Sequence, residues 1–283
     1  MPELPEVEVL VRHLGPLLRG HRIRGVTVGR ERVVRPDSAE ELSKQLTGAT
    51  FGATTRRAKF LLFELRSGRW AKPFTLVGHL GMTGRMFLQP KAAPLPKHTA
   101  VSLDLGAHRF VFEDTRYFGR FNLDPAPLAK LGPEPLSEDF TVEAFAAALK
   151  RSSQPIKVKL LDQSLVAGVG NIYASEALFR AGISPRRAAK RLKRDQITRL
   201  RDTIREVLTE AIECGSTIPL DFAAGKGGLF YYGALTDGGA NFYEERLRVY
   251  DRAGEPCLTC GTPIRQSVQA ARSTYFCPRC QRG

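Results

Sequence analysis

The amino-acid sequence predicts an α+β multidomain protein in which an N-terminal β-sandwich with a leading helix precedes a helical domain and a terminal β-hairpin. Apolar residues first recur at helical spacing, and short β-type runs then fill about a hundred residues. Helical spacing returns after a proline-rich stretch. The composition, 42% hydrophobic and 25% charged, is that of a globular chain and excludes wholesale disorder.

The leading helix is predicted over residues 5–18, where apolar side chains recur three and four positions apart. Short apolar or alternating runs follow, separated by Gly, Pro or Asp turns that are typical of a sandwich or barrel. These runs are Ile23–Val28, Phe60–Leu65, Thr75–His79, Ala100–Leu105 and Arg109–Glu113. We expect the sandwich domain to span residues 1–130.

A linker rich in Pro and Gly is predicted at residues 131–140, followed by a helical domain at 141–245 and a hairpin domain at 246–283. Within the helical domain, Thr141 and Asn171 stand where helix N-caps are expected. Residues 215–245, which are rich in glycine and aromatic side chains, are expected to form a loop. The predicted helices run over residues 141–150, 156–163, 171–180 and 197–212.

Four of the five cysteines form two Cys-x2-Cys pairs separated by sixteen residues. This spacing is typical of a structural zinc site, because each pair turns two thiolates toward one ion and a hairpin brings the pairs together. Two disulfides are the alternative, although nothing else in the sequence marks a secreted chain. We therefore expect one structural zinc ion bound by Cys257, Cys260, Cys277 and Cys280.

The chain carries a formal net charge of +14, and both halves contribute to the excess. Such a balance favours a polyanionic partner such as nucleic acid, although a merely basic surface stays open. The run from Arg186 to Arg194 shares this ambiguity, since it fits a phosphate contact or a solvated helix face. No apolar run is long enough to span a membrane, and the acidic start Met1–Glu6 is unlike a secretory signal. A cytoplasmic protein is expected.

The first residues allow amine chemistry. Removal of Met1 would leave Pro2 with a secondary amine, and an α-amino group with a pKa of about 7.7–8.0 has a usable neutral fraction near neutrality. Such an amine can attack an electrophilic carbon, with Glu3 and Glu6 beside it to exchange protons. The plainer interpretation is that Pro2 and Pro5 only lead into the first helix.

A double glycine turn lies between two predicted helices, at Gly168 and Gly170. Exposed backbone N–H groups at the start of the helix that follows, near Asn171, would bind a phosphate. Lys157, one helix earlier, is placed to close over the same phosphate. A plain helical turn is the alternative interpretation.

Taken together, these segments resemble the formamidopyrimidine-DNA glycosylases, which are bacterial base-excision-repair enzymes. Six motifs in the same order carry the resemblance, and they cover nearly the whole chain. They are Pro2–Glu8, Arg56–Lys59, His79–Gly84, Asp114–Gly119, Leu161–Tyr173 and the two cysteine pairs. The resemblance implies a helix-two-turn-helix domain with a zinc-finger hairpin, and an enzyme that acts as a monomer on double-stranded DNA containing a damaged base, in the cytoplasm at the nucleoid.

The resemblance also implies residue roles. Pro2 matches the amine that attacks C1′ of the damaged nucleotide, Glu3 the acid that protonates the sugar ring oxygen, and Glu6 a carboxylate beside it. The catalytic set is completed by Lys59 and Arg272, which match phosphate-contacting residues at the lesion. Residues implied to bind DNA elsewhere are His79, Met82, Arg116, Phe118, Lys157 and Asn171, of which Met82, Arg116 and Phe118 match those that fill the gap left by the extruded base.

Three departures from the family pattern stand at Tyr117, where a second arginine is common, at Arg69–Phe74, and at residues 216–245. The implied activity is removal of oxidised purines, with strand cleavage by β- and δ-elimination. Two alternatives stay open: an endonuclease-VIII-like enzyme for oxidised pyrimidines, and a non-catalytic DNA-binding relative.

Overall fold

The computed structural model of the chain describes residues 2–67, 72–215 and 246–282. Among these residues, those up to Ala129 belong to a first compact unit, and those from Lys130 to Cys214 form a second unit with residues 246–282. The predicted loop at 216–245 and the first half of the unusual stretch Arg69–Phe74 lie outside the described residues. The predicted domain limits remain predictions.

The first unit contains helices and eight strands. The helices are α1 (Leu4–Leu18), α2 (Ala39–Leu46), α3 (Ala126–Ala129) and a short 3-10 helix, Glu31–Val33. The strands are β1 (Gly25–Val28), β2 (Thr50–Arg57), β3 (Phe60–Arg66), β4 (Phe74–His79), β5 (Gly84–Pro90), β6 (Thr99–Asp104), β7 (His108–Asp114) and β8 (Arg120–Asn122). Each predicted run overlaps a strand, whereas β5 and β8 lie outside the runs named above.

The strands form two four-stranded antiparallel sheets, ordered β2-β3-β4-β8 and β1-β6-β7-β5. Phenylalanine rings fill the space between the sheets: Phe63 of β3 meets Phe110 of β7 edge-on at 5.7 Å, and Phe110 stacks on Phe121 of β8 at 5.8 Å. Helix α1 packs against β2 with Leu10 and Leu14 fully buried. The predicted β-sandwich with a leading helix is confirmed.

The second unit contains α4 (Val142–Lys150), α5 (Ile156–Leu160), α6 (Asn171–Arg180), α7 (Arg194–Glu213), a 3-10 helix (Ala189–Arg191) and the hairpin of β9 (Arg265–Gln269) and β10 (Arg272–Phe276). Thr141 caps α4 as predicted, since its Oγ1 accepts from the Ala144 N–H at 3.2 Å. Helix α5 ends at Leu160, three residues before the predicted end at Gln163, because Asp162 turns the chain by accepting the Ser164 N–H.

One predicted cap is wrong by a residue. Gly170, in extended conformation, is the N-cap of α6, and Asn171 is the first residue of the helix. The Gly170 carbonyl accepts the first helical hydrogen bond, from the Ala174 N–H at 3.0 Å. The side chain of Asn171 is therefore available for contacts outside its own helix.

The chain that leads into the hairpin is attached to α6 by a buried carboxylate. Glu176 accepts the backbone N–H groups of Arg248, Val249 and Tyr250 at 2.8–3.0 Å. Burial raises the pKa of this carboxyl group, and the three N–H donors oppose that shift. The hairpin thereby has a polar attachment to the middle of α6 as well as apolar contacts.

The stretch predicted as a linker, residues 131–140, hydrogen-bonds to the helical unit. The Gly132 N–H donates to the Gln163 carbonyl at 2.8 Å, and Arg205 of α7 donates to the Ser137 carbonyl at 2.8 Å. A search of the described helices finds none with the length and apolar character needed to cross a membrane.

Candidate catalytic and nucleic-acid-binding sites

Three buried residues at the start of α1 provide two carboxyl groups and, once Met1 is removed, a terminal amine. Pro2, Glu3 and Glu6 are all buried, the two carboxylic residues at 1% and 0% exposure. The backbone N–H of Glu3 donates to Glu6 Oε2 at 2.7 Å, so Glu6 fixes the peptide that follows Pro2. An amine at this position would have two carboxyl groups within the next four residues to exchange protons with.

The turn between β2 and β3 places Lys59 and is attached to α1. Ala58 adopts a left-handed conformation (φ +52°), and Arg56 donates to its carbonyl at 3.0 Å. Arg56 also donates to Glu8 of α1 at 2.8 Å. Burial would raise the pKa of Glu8, but hydrogen bonds from Arg56 and Arg12 lower it, so the ion pair persists. Lys59, 9% exposed, thus lies on a turn that is fixed to α1.

His79, at the end of β4, is held neutral. Its pKa is lowered to about 4, first by burial and then by the positive charges of Lys59 and Arg120. The Gly81 N–H donates to His79 Nδ1 at 3.1 Å, and the ring packs on Phe60 at 4.7 Å between centroids. Because Nδ1 accepts, the proton of the neutral ring is on Nε2, which makes Nε2 a hydrogen-bond donor.

A buried carboxylate organises the two turns that carry Met82, Arg116 and Phe118. Asp114, 0% exposed, accepts the Thr83 hydroxyl at 2.6 Å and the Arg116 N–H at 3.2 Å with Oδ1. Its Oδ2 accepts the Gly119 N–H at 2.8 Å. One side chain therefore closes the loop 114–119 and holds it to the turn that carries Met82.

The same two turns pack backbone against backbone. Gly81 has φ +63°, and a Cβ built on it would lie 2.6 Å from the Gly119 nitrogen. A side chain at Gly119 would lie 2.7 Å from the His79 carbonyl. Glycine is required at both positions by this close approach.

The loop 114–119 presents an aromatic ring and arginine side chains to solvent. Phe118 is 42% exposed, and the guanidinium groups of Arg116 and Arg32 lie 5.0 and 5.5 Å from its ring centroid. Tyr117, at φ +53°, is half-buried, and its hydroxyl lies 3.3 Å from His98 Nδ1. Arg30 lies over the Tyr117 ring at 5.0 Å, so a cation accompanies this departure from the family pattern.

In the second unit, Gln163 holds the double turn. Its Nε2 donates to the Val169 carbonyl at 2.8 Å, and its Oε1 accepts the Gly168 N–H at 2.9 Å. Gly168 has φ +86°, a conformation that L side chains rarely adopt. The double turn leads directly into the N-terminus of α6, where the backbone N–H groups of the first turn are suited to bind an anion.

Lys157 lies inside this unit. Its ammonium group donates to Asn171 Oδ1 at 2.5 Å, to the Ser273 carbonyl at 2.7 Å and to Thr274 Oγ1 at 2.9 Å. Three acceptors use all three donors of an ammonium group, and the residue is 1% exposed. The ammonium group of Lys157 is thus used within the protein, and its contact with a phosphate stays a prediction. Because Oδ1 of Asn171 faces Lys157, its amide NH2 is directed away from the lysine.

The four predicted zinc ligands come together beside the hairpin. Their sulfur atoms all lie within 4.8 Å of one another, with Cys257–Cys280 at 3.9 Å and Cys260–Cys277 at 3.5 Å. A tetrahedral zinc ion with Zn–S bonds of about 2.3 Å requires S–S distances of about 3.8 Å. The residues fit one zinc ion, and four thiolates leave no open position for catalysis.

Arg272 is exposed next to the hairpin turn. The turn residues Ala270 and Ala271 have φ +47° and +57°, a left-handed pair that is typical of the two-residue turn joining β9 to β10. Alanine is strained there, because its Cβ disfavours positive φ. The backbone beside Arg272 is thus held in one defined conformation.

Comparison with known proteins shows three matching family models. Residues 1–121 match the formamidopyrimidine-DNA glycosylase N-terminal domain, residues 131–221 the formamidopyrimidine-DNA glycosylase H2TH domain, and residues 254–283 a zinc finger found in FPG and IleRS. The chain belongs to the formamidopyrimidine-DNA glycosylase family. The resemblance inferred from the sequence motifs is confirmed, and so is the zinc finger.

Family members of similar length are closely related to this chain. The formamidopyrimidine-DNA glycosylase of Thioalkalivibrio sulfidiphilus is 42% identical over 289 residues and covers 100% of both chains. That of Thermus thermophilus is also 42% identical, over 99% of this chain and 98% of its own.

Solved structures of the family share the fold. The Lactococcus lactis Fpg bound to DNA containing an abasic site is 35% identical, with a TM-score of 0.87 over 99% of this chain and 100% of its own. A MutM structure in complex with DNA containing carbocyclic 8-oxo-G is 36% identical, with a TM-score of 0.87 over the full length of both chains.

The predicted site residues of this family member fall into groups within each unit. The first unit brings Pro2 next to Glu3 and Glu6 and places Met82 and Phe118 on turns that share Asp114. The second unit joins Lys157 to Asn171 and to the strand that begins at Arg272. The roles of these residues stay predictions.

Sequence reasoning missed the side chains that hold these groups. Asp114 lies within a motif of the family resemblance, so the sequence drew attention to its position but assigned it no function. Gln163 likewise lies in the double-turn motif. Thr274 lies in the zinc-finger segment between the two cysteine pairs, where nothing in the sequence indicated its contact with Lys157.

Proposed function

We propose that this protein is a base-excision-repair DNA glycosylase with AP lyase activity, which removes oxidised purines such as 8-oxoguanine and formamidopyrimidines from DNA. The observation that carries the proposal is the buried start of α1, where Pro2 is followed by Glu3 and Glu6 in a member of the formamidopyrimidine-DNA glycosylase family. Relatives in this family were solved with DNA containing an abasic site or 8-oxo-G, which agrees with the substrate class.

The first chemical step forms a covalent bond to the damaged nucleotide. With Met1 removed, the nitrogen lone pair of Pro2 bonds to C1′ while the glycosidic bond breaks. The electron pair of that bond leaves with the base, which takes up the proton released from the Pro2 nitrogen. Glu3 gives a proton to the sugar ring oxygen, so the C1′–O4′ bond opens and an iminium forms at Pro2. Glu6 keeps the Glu3 backbone in place through the 2.7 Å hydrogen bond.

The iminium makes strand cleavage possible, because it withdraws electrons from the sugar. Loss of a proton from C2′ expels the 3′ phosphate by β-elimination, and loss of a proton from C4′ expels the 5′ phosphate by δ-elimination. Hydrolysis of the remaining iminium adds water to C1′, releases the sugar fragment as an aldehyde and restores the amine of Pro2. Lys59, on the turn fixed to α1, is proposed to neutralise a phosphate at the lesion.

Base extrusion requires that the vacated space be filled. Met82 and Phe118 are proposed to enter the stack as an apolar wedge, and Arg116 to face the orphaned partner base. The 42% exposure of Phe118 supports this role, since an exposed ring on a pinned loop has no core function. Flipping a base costs a few kcal/mol, which such contacts offset.

Phosphate binding is proposed for groups in each unit. His79 would donate from Nε2, and Asn171 would donate from its amide beside the N-terminus of α6, with Arg272 as a charged contact at the lesion. Lys157 is proposed to act indirectly by orienting Asn171. A monomeric state and a cytoplasmic location at the nucleoid are further expectations of this proposal.

Borohydride trapping tests the proposal directly. The protein is incubated with a duplex that carries 8-oxoguanine opposite cytosine, and reduction of the iminium gives a covalent protein–DNA adduct. Mass spectrometry of the protein first establishes that Met1 is absent. We expect an adduct with the wild type and with Pro5→Ala, which keeps the terminal secondary amine. A clearly lower yield is expected with Pro2→Gly at matched folding, because that substitution replaces the secondary amine by a primary amine that is no longer held by the proline ring.

Two results would contradict the proposal. Absence of any adduct with 8-oxoguanine, thymine glycol and abasic duplexes would exclude the lyase mechanism. Trapping on thymine glycol without trapping on 8-oxoguanine would assign the chain to the oxidised-pyrimidine branch.

A further inference from the structure

The segment Arg186–Arg194 of the second unit carries a concentration of charge that the proposed chemistry does not use. It contains six cationic residues and no acidic residue, and it is followed by Asp195 in the first turn of α7. The cationic residues are Arg186, Arg187, Lys190, Arg191, Lys193 and Arg194.

Four of these side chains have no acidic partner in the part of the chain that the structure describes. Arg194 is paired with Glu143 of α4, and half-buried Arg187 donates to the Arg191 carbonyl at 3.3 Å. The other four are exposed and take part in no ion pair between described residues; we call them the basic strip. The basic strip consists of Arg186, Lys190, Arg191 and Lys193.

The backbone under the basic strip is fixed. The Arg187 carbonyl accepts the Ile156 N–H at 2.7 Å, and the N–H groups of Ala189 and Lys190 donate to the Gln154 and Ser152 carbonyls, each at 2.9 Å. Only a three-residue 3-10 helix, Ala189–Arg191, forms between Arg186 and Arg191. The like charges are therefore held on an ordered, solvent-exposed surface that lies mostly outside an α-helix.

The basic strip begins beside the residues proposed to hold phosphate. The Pro185 carbonyl accepts the Lys157 N–H at 3.3 Å and the Gln269 side chain at 3.5 Å, next to the hairpin turn. Arg186 lies 5.1 Å from the centre of the Phe276 ring in β10. From there the segment runs to the C-terminal end of α4, where Lys190 meets Ser152.

We propose that the basic strip binds backbone phosphates of the DNA duplex beyond those bound by Asn171 and Arg272. Salt screens the repulsion between exposed like charges over a Debye length of about 8 Å, and a row of phosphates would offset the repulsion that remains. Binding also releases the counterions condensed on DNA. Contacts with backbone phosphates carry no information about the base sequence. The basic strip therefore enlarges the surface that binds DNA and helps the protein to search along undamaged DNA. This inference rests on the DNA binding of the proposed function and not on its chemistry.

The test measures binding of the full-length protein to an undamaged duplex as a function of salt concentration. The variant replaces all four strip residues with alanine, and circular dichroism and thermal melting establish that it folds. One control keeps the charges (Lys190→Arg, Arg191→Lys, Lys193→Arg), and a second removes exposed cations of the first unit (Arg19→Ala, Arg22→Ala, Arg24→Ala). Each phosphate contact contributes about 0.9 to the slope of log K against log salt.

We expect the slope of the alanine variant to fall by about two or more, with at least about a tenfold loss of affinity at physiological salt. Both controls should stay close to the wild type. Phosphate-ethylation interference should then identify the phosphates that the alanine variant no longer touches, and these should differ from the phosphates that Asn171→Ala no longer touches.

Three results would overturn the inference: an unchanged slope, an equal fall in the first-unit control, or interference at the same phosphates as in Asn171→Ala. Trapping on an abasic duplex is measured in parallel. Failure of the wild type to trap refutes the proposed chemistry, whereas the salt slope on undamaged DNA reports on the strip alone.

Discussion

In each unit of this protein, one buried charged side chain holds the residues proposed to contact DNA. The two side chains differ in how far along the sequence their hydrogen-bond partners lie. Asp114 accepts three hydrogen bonds from within 31 residues of itself. Lys157 donates three, one to Asn171 and two to the hairpin more than a hundred residues away. The proposed wedge of the sandwich is therefore held by contacts close in sequence. The proposed phosphate-binding site of the helical unit is complete only when the hairpin is in place.

Loss of zinc is expected to give the largest difference between the two units, because it should unfold part of the second unit and leave the first unit folded. Structural zinc contributes roughly 10 kcal/mol or more to the folding of small fingers, so chelation or Cys257→Ser should unfold the hairpin and remove the acceptors of Lys157. DNA binding should then be lost while the sandwich stays folded. Metal analysis, calorimetry and DNA binding measure this outcome.

Cys214→Ser is the matched control for the zinc experiment, because Cys214 lies outside the four-cysteine cluster. A preparation with one zinc ion per chain and unchanged DNA binding is expected for it. Simultaneous unfolding of the sandwich on chelation would show that the first unit also depends on the metal.

Lys157→Met breaks the long-range attachment without removing zinc. The substitution keeps the side-chain volume but leaves Asn171, Ser273 and Thr274 without their buried donor, and we expect a loss of about 3–5 kcal/mol in unfolding free energy. Binding to DNA should weaken as well, because Asn171 is no longer oriented. Urea unfolding measures the loss, with exposed Lys150→Met as the control; equal stability of the two variants would refute the role.

Asp114→Asn disturbs the local arrangement. The amide presents an NH2 group to N–H and hydroxyl donors, and we expect a loss of about 2–3 kcal/mol. Excision of 8-oxoguanine should slow more than cleavage at an abasic site, since an abasic site has no base to extrude. Single-turnover rates on the two duplexes measure the difference, and Glu40→Gln in α2 serves as the exposed control. Equal slowing on both would indicate a purely structural role.

The ionisation of His79 should make the sandwich sensitive to acid. Its folded pKa of about 4 lies below the ordinary value of 6.5, so the unfolded chain binds a proton that the folded chain does not. Stability is therefore complete above pH 6.5 and falls between pH 6.5 and pH 4, by about 2 kcal/mol after allowance for partial exposure. The unfolding free energies of the wild type and His79→Gln, measured in urea, should become more similar as the pH falls from 6.5 to 4. A difference that stays constant with pH would refute this prediction.

The hairpin turn offers the smallest effect. Ala271→Gly relieves a positive φ of +57° and should stabilise the second unit by about 0.5–1 kcal/mol, visible as a higher melting temperature. Ala188→Gly, at a φ of −62°, is the contrasting control and should destabilise. A lower melting temperature for Ala271→Gly would mean that the turn is not strained.

Local rules account for what was predicted correctly. The spacing of Leu10 and Leu14 predicts the buried face of α1, Thr141 predicts the start of α4, and the cysteine pairs predict a zinc site that the sulfur distances satisfy. Each depends on residues close in sequence or on a spacing with one strong chemical meaning. The Asn171 cap failed by one residue because glycine and asparagine both serve as caps, and only the backbone angles distinguish them.

Periodicity, caps and ligand spacing act over short stretches of chain, so the sequence alone was enough to predict the fold class and the zinc ligands. The order of six motifs was enough to recognise the family. The burial of Lys157 with three acceptors, and the exposure of the basic strip without acidic partners among the described residues, became evident only in the folded chain. Both outcomes depend on which distant groups fold beside a charge. A buried charge must find partners to offset its lost hydration, and those partners were 116 and 117 residues away.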